Sequence, residues 1–584
     1  MFDLTVACVA GWLAAGVPSA SSQPAGAKPL RRMVCGRYAQ MCTQKWTVKD
    51  GLPANDVQQI VIDPQGRVCC LTRQGAAAFD GKRWKVADKA IPSVSRIPVP
   101  DKLPGVLPWQ PATCYARSSS GQHWVGTPRG VCRWEGTRWR VHHGPRWLPG
   151  DRVNGLAVAS DGSSWVATDG GVARIYARQM SLAEKAEHFQ RILRERHVRR
   201  GLIGEINLSR PADFGSYRQP SSDNDGLWTS LYVAAESFRY AATGQADAKA
   251  NATESLNALL FLEQVTSLPG FIARSYLPRG EGFKHGDGIW YPSKDGKWDW
   301  KGDTSSDELD GHFFAYGIYY DLVDDADARK RVVATTRRVM DRLIEGGYKY
   351  YGPNGRRTRW GVYSPEELNG SYEWWPERGL NSLSILTYLK VAHHLTGDDK
   401  YHHAARELID KHGYARNTIK QKITVPGMVN HSDDELAFVC YYNLLRLEKD
   451  PAVRRFYVKS IERSWQIERP EHSPFFNFVY GSATEGGFDL AESVEFLRDF
   501  PLDLLHWRVD NTGRRDVKTR FVVSRFGRRQ SRVALPPSER AFMRWNGNPY
   551  ALAGGGDGRC EDDGAVWLLP YWMGRYHGFI AEGQ

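Results

Sequence analysis

The sequence predicts a multidomain chain: a partial array of antiparallel, propeller-like β repeats, then an all-α ring of helical hairpins, an (α/α) toroid. Three observations predict it. A motif recurs without gaps in the first third, the composition turns to helix formers near Ser181, and beyond that point one helix design keeps returning.

At 584 residues the chain exceeds what one core organises, so two or three domains are expected. Hydrophobic residues make up 41% and charged residues 25%, a globular balance. At the N-terminus, Leu4 to Val17 is an uncharged apolar run too short to span a bilayer, followed by small and polar residues. It reads as a secretory leader over 1–20, although Asp3 and the lack of Lys or Arg make a poor flank. Export is therefore expected, with no membrane insertion. After Cys8 in the leader come Cys35, Cys42, Cys69, Cys70, Cys114, Cys132, Cys440 and Cys560. They are compatible with one or two disulfides, but their spacings match no metal pattern, and no metal or cofactor is expected. Adjacent Cys69 and Cys70 on a strand face opposite ways and are not expected to pair.

The β array is placed over 40–176. Gly66 to Gly75, Gly121 to Gly130 and Gly162 to Gly171 each read Gly, five residues, Thr, two residues, Gly. Phe79-Asp-Gly-Lys-Arg-Trp84 matches Trp134-Glu-Gly-Thr-Arg-Trp139, and the apolar strands are broken by hairpin turns. His123-Trp-Val-Gly-Thr127 followed by Gly130-Val-Cys-Arg133 resembles the propeller repeats in the sensor regions of two-component regulators. Only three units are present, Cys69-Cys70 replaces the strand Trp of the first, and a proline-rich insert spans Ile91 to Pro111. A closed propeller usually needs at least four blades. An open array leaning on the next domain is expected, as a binding or packing module.

The helical region is placed over 181–582. Ser181 to Glu187 opens with a capping box. Eleven helices are expected, near 181–199, 226–243, 246–266, 305–323, 326–346, 378–396, 398–413, 432–448, 450–468, 489–506 and 564–580. Ala242-Thr-Gly244 and Leu395-Thr-Gly397 are C-caps followed at once by new starts, which makes hairpins. Aromatic helices with polar mouths alternate with Lys/Arg/Glu-rich ones, so an inner and an outer ring are expected. The polar mouths are Asp223-Asn-Asp-Gly-Leu-Trp228, Asp303 to His312, Glu377 to Asn381, Asn430 to Glu435 and Glu561 to Trp567. Those phrases, with Trp360 to Leu383, resemble the α/α-toroid carbohydrate-active enzymes, the group of six-hairpin glycosidases and several polysaccharide lyases. The resemblance implies a substrate groove at one mouth of the ring, sugars stacked on Trp and Tyr, and catalysis by acids or by Tyr, His, Asn and Arg.

Two reactions compete for these residues. Lytic β-elimination on a uronic acid needs a carboxylate neutraliser, a base and a proton donor. Arg274, Tyr276, His312, Asn369, Tyr372, Arg378, Asn381 and His431 supply such groups. Hydrolysis needs two carboxyls, from Asp225, Asp303, Asp307, Glu308, Glu373, Asp433, Asp434 and Glu435. Trp228, Trp300, Trp374 and Trp375 are candidate sugar platforms. Each has a structural alternative: acids cap helices, His312 shares a face with Glu308, and large aromatics fill cores. The net charge of +12, with a basic stretch from Arg514 to Arg532, tilts the reading to an exported lyase of an acidic polysaccharide. That stretch is expected to be an exposed hairpin. A hydrolase on the same toroid and a noncatalytic glycan-binding or scaffold protein remain as alternatives. No nucleic-acid motif accompanies the charge.

Overall fold

The computed structural model describes residues 31–87, 97–281, 284, 286, 288–422, 429–521, 523–524 and 526–583. The expected leader, with Cys8, lies outside the described residues.

A short strand β1 (Met33–Cys35) precedes three four-stranded antiparallel sheets. The first holds β3 (Val57–Ile62), β4 (Val68–Thr72), β5 (Gly75–Phe79) and β6 (Trp84–Val86). The second holds β7 (Cys114–Arg117), β8 (His123–Thr127), β9 (Gly130–Trp134) and β10 (Trp139–His142). The third holds β11 (Val153–Val158), β12 (Ser164–Thr168) and β13 (Gly171–Met180), and takes its fourth strand from β2 (Tyr38–Trp46), which pairs along the whole of β13. The repeated Thr and second Gly close the same hairpin three times. Thr72, Thr127 and Thr168 hydroxyls donate to the carbonyls of Gly75, Gly130 and Gly171 at 2.8–2.9 Å and accept the amides of Gln74, Arg129 and Gly170. These glycines have φ of 132–143°, where a side chain is strained.

The first and third sheets share a core in which Trp46 stacks on Trp165 at 5.2 Å, and the second and third share one around Trp124, Val153 and Val166. The array leans on the C-terminal part of the chain. Arg140 pairs with Asp499 at 2.8 Å, Arg129 pairs with Asp510 at 2.9 Å, and Trp147 Nε1 donates to the Ser538 carbonyl at 3.1 Å. Cys35, Cys42, Cys69, Cys70, Cys132, Cys440 and Cys560 are free thiols, so the disulfides compatible with the sequence do not include them.

Twelve helices form two rings. The inner ring is α2 (Asp225–Thr243), α4 (Ser306–Leu322), α6 (Arg378–Thr396), α8 (His431–Leu447), α10 (Pro474–Ala483) and α12 (Ala565–Tyr576), each packed on the next, with α12 returning to α2. Behind them stand α3 (Ala246–Gln264), α5 (Ala326–Glu345), α7 (Asp399–Asp410), α9 (Pro451–Glu468) and α11 (Leu490–Asp499), while α1 (Leu182–Arg196) backs α12 and completes the sixth pair. The inner helices are apolar almost all round because both faces are covered; the outer ones carry one apolar stripe. β1 runs parallel to Ile580–Glu582, which ties the two ends of the ring together.

Three expectations change here. The helix expected over 489–506 stops at Asp499, because Pro501 ends it, and Leu505–Asp510 is a strand. The inner helix α10 was not foreseen: PFFNFVYGSA is apolar throughout and shows no helical period. Arg514 is not part of a solvated hairpin face. It is buried between Glu539 at 2.5 Å and Asp516 at 2.7 Å. Among the described residues no helix is long and apolar enough to cross a membrane.

Candidate active site

Alternation of inner and outer helices makes the inner six parallel, so their N-termini meet at one mouth. There the exposed amides and the helix dipoles favour negative groups. Two glycines bring the first two mouths together. A Cβ on Gly226 would lie 1.9 Å from Glu308 Oε2, and one on Gly311 would lie 2.9 Å from the Leu227 Cα, so α2 and α4 approach more closely than side chains permit. Asn224 locks the junction. Its Nδ2 donates to Asp307 Oδ2 at 2.8 Å, while its Oδ1 accepts from Arg274 Nε at 3.1 Å and Ser305 Oγ at 3.2 Å.

Asp223, Asp307, Asp433 and Glu435 therefore converge from α2, α4 and α8. Burial, and then the neighbouring charges of Asp223 and Asp433, push Asp307 up to about 6 against the pull of Arg274. Glu435 sits beneath, almost fully buried; burial pushes it up to about 8, with Asp307 and Asp223 adding to the rise and Arg544 opposing it. Asp433 is in a salt bridge with Lys422 at 2.9 Å, and Lys422 also binds Glu377 at 2.5 Å. Arg544 forms the floor: it bonds Asp562 at 2.6 Å and Asp563 at 3.1 Å and lies over the Trp228 ring at 4.1 Å.

Of the residues expected to act, the structure brings Asp307, Asp433, Arg274 and Trp228 to this mouth. Tyr276 is buried on the strand Ser275–Pro278, edge-on to Phe261 and Trp298, with its hydroxyl on the Arg200 carbonyl at 3.2 Å. Burial raises it to about 12, which does not suit a base. His312 is fully buried, with Nδ1 on the Glu308 carbonyl at 2.7 Å, and burial lowers it to about 4. His431 turns to Glu471 at 2.9 Å. Asn381 donates to the Val362 carbonyl inside the core, and Asn369 bridges the His412 carbonyl and Asn417 at the surface. Trp300 is buried and stacks on Tyr291 at 4.8 Å. Asp225 is buried under Arg199 at 2.5 Å.

The loop before α6 keeps its aromatic character. Trp374 is buried, but Trp375 is exposed under the Arg378 guanidinium at 4.9 Å, and Tyr372, 97% exposed, and Glu373 project into solvent. Glu377 at the end of this loop holds Lys422, so the exposed aromatics border the carboxylate mouth. Sequence reasoning missed Arg544 and Lys422, which sit in irregular segments with no motif around them. Among the described residues two groups have metal-ligand spacing: Glu205, His506 and Cys560, and His431, Glu468 and Glu471.

No protein-family model and no curated protein matches the chain. Among solved structures, a thermostable endoglucanase from Alicyclobacillus acidocaldarius is similar at 13% identity and a TM-score of 0.35, covering 79% of this chain and 94% of its own. A metagenome-derived glycoside hydrolase family 9 endoglucanase aligns at 12% identity and a TM-score of 0.37, over 92% and 99%. The extracellular domain of a hybrid two-component system from B. thetaiotaomicron aligns at 16% identity and a TM-score of 0.11, over 23% of this chain and 18% of that one.

Proposed function

We propose that this protein is a carbohydrate-active enzyme that hydrolyses a glycosidic bond at the carboxylate mouth of the ring, with Asp307 as the proton donor. The observation that carries this is the convergence of Asp223, Asp307 and Asp433 with Asp307 pushed up to about 6 by burial and its acidic neighbours. A half-buried carboxyl poised near neutral pH delivers a proton to a leaving oxygen, while a carboxylate opposite it, Asp433 or Asp223, serves water or the sugar carbon. Trp375 and Tyr372 at the rim offer flat faces to sugar rings.

Lytic elimination is supported less well. Tyr276, His312 and His431 each make another contact inside the protein, and the mouth carries more carboxylates than cations, which repels a uronate and favours a neutral glycan. The test is incubation of the purified chain with neutral and acidic polysaccharides, following reducing ends and ultraviolet absorbance together. New reducing ends without absorbance, lost by at least a thousandfold in Asp307→Asn with the fold unchanged by circular dichroism, are expected. A conjugated double bond, or an Asp307→Asn variant of full activity, overturns the reading.

A further inference from the structure

The first turn of α8 carries two polar faces. Asp433 and Glu435 serve the mouth, whereas His431 and Asp434, three residues apart, share a face directed at the end of α9. There His431 Nε2 lies 2.9 Å from Glu471 Oε1, and His431, Glu468 and Glu471 each place a ligand atom within 4.8 Å of the others. All are buried, with relative exposures of 7% for His431, 1% for Glu468, 6% for Glu471 and 3% for Asp434.

Glu468 lies within hydrogen-bond reach of Asp434 and Glu471, themselves carboxyls, and no N–H or hydroxyl donor among the described residues reaches either of its oxygens or Oδ2 of Asp434. A buried carboxylate without a donor costs several kcal/mol in protein interiors, on the order of the penalty for an unpaired ion, unless a proton or a cation meets it. The one nitrogen donor of the cluster is His431. The charges of Arg540 and Arg520 also reach Glu471, and Arg540 donates one N–H to the Leu535 carbonyl at 3.2 Å. Three carboxyls thus face one imidazole.

We propose that this cluster binds a divalent first-row transition-metal ion through His431 Nε2, Glu468 and Glu471, with Asp434 beside them. Oxygen donors alone would suit calcium or magnesium; an imidazole nitrogen among carboxylates suits manganese, iron or zinc. His431 also lines a cavity with Asn430, Ser432, Phe542, Met543, Arg528 and Arg540, so the cluster is open to solvent on one side. Bound there, the ion clamps α9 to the first turn of α8, the turn that presents Asp433 and Glu435.

The test uses the full, tag-free chain stripped with a chelator and titrated with Mn2+ or Zn2+. One ion per chain, a higher thermal midpoint, and nitrogen coupling in the pulsed electron paramagnetic resonance of the Mn2+-loaded protein are expected. Glu468→Gln, which keeps the side-chain shape, is expected to weaken binding at least a hundredfold. Absence of stoichiometric metal in the unaltered protein, Mn2+ without nitrogen coupling, or unchanged affinity in Glu468→Gln overturns the proposal and leaves shared protons as what holds the cluster together.

Discussion

Replacement of Arg544 by methionine tests how the floor of the mouth is held. The guanidinium bonds Asp562 at 2.6 Å and Asp563 at 3.1 Å, both carboxyls are at most 2% exposed, and Trp228 covers its face at 4.1 Å. Methionine refills the stem volume and removes the charge. Breaking a buried pair by removing one partner costs about 3–5 kcal/mol, and the ring contact adds about 1. The acids keep part of their satisfaction, because Asp562 accepts the Gly564 amide at 3.0 Å and Asp563 accepts the Ala565 amide at 2.8 Å as caps of α12. A net loss of about 4 kcal/mol at pH 7 is expected from urea unfolding followed by far-ultraviolet dichroism. The pH dependence supplies a second reading. Burial opposes ionisation of Asp562, yet Arg544 and His506 outweigh it and hold its carboxyl below the usual range. Asp563 is already held at about 6 by burial and by Asp562, and without Arg544 it rises further while Asp562 rises above its unfolded value, so the folded state binds more protons and its stability increases as pH falls. The deficit is therefore expected to shrink towards pH 5. A loss under about 1 kcal/mol, or one that grows on acidification, refutes the assignment of Arg544 as the counter-ion of this floor.

Further substitutions test other contacts. Lys185, fully buried on α1, donates to Gln40, to the carbonyls of Leu497 and Arg498 at 2.9 and 3.0 Å, and to the Phe500 carbonyl, so it closes the C-terminus of α11. Lys185→Met is expected to cost about 2–4 kcal/mol by denaturant titration, since it strands several buried acceptors. Burial holds Lys185 well below 10.5, so the unfolded chain binds the extra proton between the two values and stability rises with pH there. The methionine variant should lose that slope. Gly226→Ala drives a methyl into Glu308 and His312 and is expected to destabilise by about 1–3 kcal/mol, less when Glu308→Ala is present as well, in a double-mutant cycle. Burial holds Glu308 well above 4.5, so the folded state keeps a proton that the unfolded chain releases and stability falls as pH rises above 4.5. Glu308→Gln should make that fall shallower in thermal scans from pH 5 to 8, leaving the share of the other buried acids such as Glu435. For the proposed hydrolysis, kcat is expected to decline about tenfold per pH unit above the titration of Asp307 near 6, in a pH–rate profile.

Much of the architecture was legible because it is written in local patterns. The Gly-x5-Thr-x2-Gly repeat is visible since each hairpin is closed within ten residues by the same Thr–Gly hydrogen bonds. Inner and outer helices separate by composition because one set is buried on every side and the other on a single stripe. The polar mouths were likewise visible as clusters before apolar runs, which is what singled out Asp307, Asp433 and Trp228.

What each polar residue does was decided by the tertiary structure. His431 and Asp433 are two residues apart, yet one turns to Glu471 and the other to Lys422, since a helix directs neighbours to different faces. Tyr276 and His312 have the residue types of catalysts, and only the packing of Phe261, Trp298 and Gly226 around them shows that they are enclosed. Arg544 and Lys422 left no mark in the sequence because their partners lie 18 and 11 residues away, beyond the spacing at which a helical or strand period pairs residues. The sequence by itself determined the two kinds of layer and the location of the polar mouths. Which carboxyls face one another, and with what proton affinity, followed only from closing the ring, because burial and neighbouring charge are properties of the assembled mouth.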